Sequence, residues 1–108
     1  MIDTKIRNGY AGIRLEDGVE VVKIVNGRQS PLPHLVHHSL SGFEWGYGGN
    51  GPADLARSIV GDVLGTTTPD PAIYQAFKWD FVAKWGSQWE ISLEEVKNWL
   101  KGRMNQER

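Results

Sequence analysis

One ten-residue stretch constrains this chain more than any other. Gly42-Phe43-Glu44-Trp45-Gly46-Tyr47-Gly48-Gly49-Asn50-Gly51 holds five of the thirteen glycines in 108 residues. Glycine loses more conformational freedom on folding than any other residue, so such a run interrupts regular structure. It divides the sequence into an earlier part patterned for strands and a later part patterned for helices. Four of the five tryptophans lie after residue 78, and only Trp45 joins the glycines.

The earlier part alternates. Ile13 and Leu15 alternate with Arg14 and Glu16, and Val19, Val21 and Val25 follow with Glu20 and Val22 between them. Asp17-Gly18 and Asn26-Gly27 separate the runs, and both dipeptides are strong hairpin signals. Arg28-Gln29-Ser30 supplies a third strand before Pro31 and Pro33 end it. Phe43, Trp45 and Tyr47 alternate with Glu44 and Gly46, which predicts a fourth strand with one aromatic face.

The later part has helical spacing. Pro52 suits a first helical position, and Asp54 in the first turn would complement the helix dipole. Leu55, Ile59 and Val63 recur every four residues, and Gly65 is a C-terminal stop. Asp70-Pro71 opens a second helix with Tyr74, Phe77, Phe81 and Trp85 on one stripe, ended at Gly86. Trp89-Glu90-Ile91 is short enough to be an extra strand. Ser92-Leu93-Glu94-Glu95 is a capping box, opening a third helix that buries Leu93, Val96, Trp99 and Leu100. The expectation is an α+β fold: a small antiparallel sheet, made of a three-strand meander plus the aromatic strand, packed on about three helices.

Size and charge narrow the classes. A chain of 108 residues reads as one domain spanning 1–108, with a polar tail from 102 to 108 that frays. Without cysteine there is neither a disulfide nor a thiolate metal site. Twelve basic against thirteen acidic residues argue against a nucleic-acid partner, which a basic domain would serve. The opening residues carry no apolar leader and no window is long enough to span a bilayer, so the expected location is the cytoplasm, with no membrane partner.

Three features carry candidate chemistry. The glycine run ahead of a helix start is the recipe for an anion site. Here the N–H groups of Gly48, Gly49 and Gly51, with Asn50 among them, would hold an anionic or nucleotide-like ligand. Trp45 or Tyr47 would stack on its ring, and His38 or Arg57 would supply charge. The spacing matches neither a P-loop nor a dinucleotide fingerprint, and the plainer reading is a tight turn. His34, His37 and His38 form the second feature. A small hydrolase could use His37 or His38 with Glu44, or with Ser39 or Ser41 as nucleophile, but no orienting acid is evident, and no catalytic residue is assigned. A metal would need a further fixed ligand, so no metal or cofactor is expected. The tryptophans are the third. Most suit the core, and an exposed aromatic face would suit a homo-oligomer contact.

The run from His38 to Ala56, His-Ser-Leu-Ser-Gly-Phe-Glu-Trp-Gly-Tyr-Gly-Gly-Asn-Gly-Pro-Ala-Asp-Leu-Ala, resembles the signature of a family of small proteins of unknown function from bacteria, their phages and other mobile elements. Tyr10-Ala11-Gly12 and Tyr74-Gln75-Ala76-Phe77-Lys78 extend the resemblance over most of the chain. Leu40 departs from it where Pro is expected, and Asn50 where Ser is more usual. The resemblance implies no activity and no catalytic residue. It implies a context, that of a small phage or mobile-element product acting by binding, for instance by inhibiting a host defence protein or sequestering a nucleotide.

Overall fold

The computed structural model describes residues 1–106. The elements run β1 (Gly9–Leu15), β2 (Gly18–Val25), β3 (Arg28–Pro31), α1 (Asn50–Leu64), α2 (Pro71–Asp80), a 3₁₀ turn (Val82–Lys84), β4 (Gln88–Ser92) and α3 (Leu93–Gln106). The fold is α+β, with one four-stranded antiparallel sheet and three helices. The chain forms two compact units, one made of residues 1–32 with the segment from Gln88 onward, the other of residues 33–87.

In the first unit the strand order is β3-β2-β1-β4. Leu15 pairs with Gly18 and Val25 with Arg28, so both hairpins close through two residues. Asn26 and Gly27 stand at φ 52° and 83°, the left-handed pair that a hairpin twist requires. Ile2, Ala11, Val22 and Ile24 form a buried cluster. Gly12 lies opposite Trp89, and a Cβ there would meet the indole at 2.5 Å, so the glycine makes room for the ring. In β4, Trp89 and Ile91 are buried while Gln88 and Glu90 face out. The fourth strand is therefore the Trp89-Glu90-Ile91 segment. Ser92 Oγ accepts the Glu95 N–H at 3.0 Å, the first half of the expected capping box. Over residues 102–106 the tail forms the end of α3. Residues 107 and 108 lie outside the described part.

In the second unit α1 packs on α2. Gly65 closes α1 at φ 70°, as its position predicts. Asp70 caps α2 by accepting the Ala72 N–H at 3.0 Å, with Pro71 in the first turn. Three expectations need correction here. Residues 43–47 are not a strand: Gly46 turns the chain at φ 87°, so Trp45 is buried while Tyr47 is exposed. Pro52 is the third helical residue, since α1 already starts at Asn50 and its first turn contains no acid. And α2 stops at Asp80, so Trp85 leaves its stripe, whereas Phe81 still packs on Phe77 with the ring centres 4.9 Å apart. The chain tightens there because the Val82 carbonyl accepts the N–H groups of Gly46 at 3.0 Å and Trp85 at 3.3 Å.

Candidate functional site

The site grows from one polar stripe on α1. Asp54 and Ser58 are one turn apart, with Arg57 beside them, so all three project toward one side of the helix. The segment 34–42, here called the strap, lies along that side. Asp54 is 0% exposed, and a buried carboxylate is costly unless every lone pair is used. Its Oδ2 accepts the N–H groups of His37 at 3.2 Å and Ser39 at 3.0 Å, and its Oδ1 that of His38 at 2.8 Å. His34 Nε2 lies 2.8 Å from Oδ2. Because a carboxylate only accepts, Nε2 carries the proton. Four donors fill about the four lone-pair sites of one carboxylate. Burial pushes the Asp54 pKa up, but the hydrogen bonds from His38, His34, Ser39 and His37 outweigh it and hold the group below 3.8.

The rest of the strap is fixed in the same way. Leu35 donates its N–H to Ser58 Oγ at 2.9 Å, and its carbonyl accepts from Arg57 at 3.4 Å. The His34 ring lies against Phe43, and His37 meets His38 edge to face. His38 Nε2 and the Tyr74 hydroxyl share a 2.8 Å hydrogen bond. Ser39 Oγ donates to the Gly42 carbonyl at 3.1 Å and lies 3.2 Å from Ser41 Oγ. These contacts close a tight turn with Leu40 at its apex, 96% exposed. Val36 and His37 are also exposed.

The glycine run is occupied by the chain's own side chains. A Cβ on Gly48 would land in the Trp79 ring, one on Gly49 in the Tyr47 ring, and one on Gly51 2.7 Å from Glu44 Cβ. The Lys78 ammonium lies 3.4 Å from the Gly48 carbonyl and 4.4 Å from the Trp79 ring centre. Lys78 is buried, and that burial lowers its pKa.

The residues named from sequence fall into two groups. His38 and Arg57 meet at Tyr74, with the guanidinium 6.0 Å from the ring centre. Gly48 lies against Trp79 and Gly49 against Tyr47, with Asn50 exposed at the helix start and Gly51 buried against Glu44. Trp45 belongs to neither group. It is 1% exposed, and its indole N–H donates to the Gly86 carbonyl at 2.6 Å. The imidazole of His38 engages Tyr74, not Glu44. Sequence reasoning missed His34, Asp54 and Ser58 as a unit. Their available signal was an acid and a serine four residues apart inside an otherwise apolar helix stretch.

The model of a family of unknown function (DUF6166) matches residues 10–102, and the chain belongs to that family. No curated protein and no solved structure gives a significant match.

Proposed function

We propose that this member of a family of unknown function is a non-enzymatic binding protein that engages a partner protein through the strap and the exposed Tyr47. The observation that carries the reading is Leu40: a fully exposed apolar side chain on a turn whose backbone is pinned from beneath. Ordering a loop on binding costs free energy, and a loop already ordered avoids that cost. Exposed apolar side chains in a fixed frame are typical of contact sites. The resemblance of residues 38–56 to small bacterial and phage proteins supports the reading of a phage or mobile-element product that acts on a host protein in the host cytoplasm.

The anionic-ligand version uses the same segment in another way. Its three closest backbone approaches, at Gly48, Gly49 and Gly51, are taken by Trp79, Tyr47 and Glu44, which favours the protein partner. Two measurements separate the versions. Calorimetry against a nucleotide panel, cyclic ones included, gives no heat if a protein is the partner. Co-purification from host cells gives a defined partner that Leu40→Asp loses while circular dichroism stays unchanged. Heat from a nucleotide, or the same partner retained by Leu40→Asp, overturns the protein reading.

A hydrolase remains the second reading, and one observation favours it. The His34–Asp54 pair supplies an imidazole oriented by a buried carboxylate, the arrangement of a general base. Phosphoester or ester turnover abolished by His34→Ala would support it, and a wild-type protein without turnover on these substrates would remove it.

A further inference from the structure

We infer that Asp54 is a latch: its ionised carboxylate holds residues 34–42 closed on α1, and neutralising that one group frees the strap as a unit while α1 and α2 stay folded. The geometry concentrates the attachment on one residue. Three consecutive strap N–H groups, from His37, His38 and Ser39, end on the two oxygens of Asp54, together with the His34 ring. Hydrogen bonds to an ionised acceptor are about twice as strong as neutral ones. The remaining attachments are lighter, being Leu35 to Ser58, Arg57 to Leu35, and His38 to Tyr74. The helices do not need Asp54 for their own hydrogen bonds. Asp70 caps α2 and Gly65 ends α1 independently of it.

Asparagine cannot replace the latch. Oδ2 faces three donors and Oδ1 faces one. An amide that keeps its oxygen at the Oδ2 position must turn an NH₂ group against the His38 N–H. Donor then meets donor in a buried place, which costs more than a merely absent bond. Protonating Asp54 does the same at one oxygen. The sign follows from the depressed pKa. The latch contributes fully above the unfolded value of 3.8 and is lost as pH falls through the lower folded value. The charged and titratable groups around it are His34, His37 and His38 on the strap, Arg57 on α1 and Tyr74 on α2.

The latch rests on the binding reading only for its consequence, which is that release would dismantle the display of Val36 and Leu40. Its test needs no partner. Amide-resolved hydrogen exchange is followed from pH 7 down to acid in the wild type, in Asp54→Asn, and in Asp70→Asn as a control for the same change at another helix. In the wild type, His37, His38 and Ser39 should lose protection together below the ordinary carboxylate range, while Ile59, Val60 and Phe77 stay protected. In Asp54→Asn the three strap amides should already be about tenfold or more less protected at pH 7, and Asp70→Asn should keep them. If Asp54→Asn does not fold, the wild-type series decides. Strap and helix amides exchanging as one unit would overturn the latch. So would a release midpoint near neutrality, which would point to an imidazole, or full protection in a folded Asp54→Asn.

Discussion

At the scale of the residue, the second unit depends on polar atoms placed where apolar ones would be ordinary. Asp54 sits in the stretch 51–61 of α1, where every residue but Arg57 is buried, and its main-chain partners lie 15 to 17 residues upstream. No side-chain pattern marks a backbone N–H as a donor, which is why sequence reading placed this acid at the helix dipole. The sequence offers Trp45 as a ring to stack on a ligand, whereas it is buried and its indole N–H bonds to Gly86. Trp45→Phe removes that buried donor and leaves the carbonyl without it, so unfolding by denaturant should show a loss of about 1–3 kcal/mol. Gly48→Ala tests the other packing detail. The new methyl collides with the Trp79 ring, which must swing away, and overpacking of this kind costs about 1–3 kcal/mol. A blue or red shift of tryptophan emission should accompany the loss, and unchanged stability with unchanged emission would contradict the contact.

Elements were legible where local chemistry decides them. Both hairpins, the Gly65 stop, the Asp70-Pro71 start and the Ser92 cap follow from turn and cap residues whose partners lie within four positions. Ser92→Ala removes the bond to the Glu95 N–H and should lower stability by about 1 kcal/mol, read from the denaturation midpoint. Gly27→Ala forces a side chain into φ 83° and should destabilise the β2–β3 hairpin by about 1–2 kcal/mol, seen as faster exchange of the β3 amides. The failures have a common origin. The aromatic alternation at 43–47 mimics a strand, but period alone does not say whether the backbone finds a ladder partner. Here Gly46 bonds to Val82 instead. Period likewise does not say where a helix ends, and α2 stops at Asp80 although the aromatic spacing continues to Trp85. The extra strand at 88–92 was visible because its alternation coincides with real pairing to β1.

For the whole molecule, acid stability and surface presentation are linked through the strap. Because Asp54 is held below 3.8 by folding, acidification should weaken the native state progressively below that value, and Asp54→Asn should flatten this part of the stability–pH curve. No described helix is long and apolar enough to cross a membrane, and among the described residues no group of three His, Cys, Asp or Glu could hold a metal. What the molecule does present is a pinned turn with Leu40 at its apex and Tyr47 nearby in sequence, both exposed. The most direct test of the proposed binding role is site-specific photo-crosslinking in host cells, with a photoreactive residue at position 40, at position 47, or at position 17 in the β1–β2 turn. One adduct of the same mass is expected from positions 40 and 47 and none from position 17. Adducts from position 17 alone, or none from 40 and 47, would contradict it.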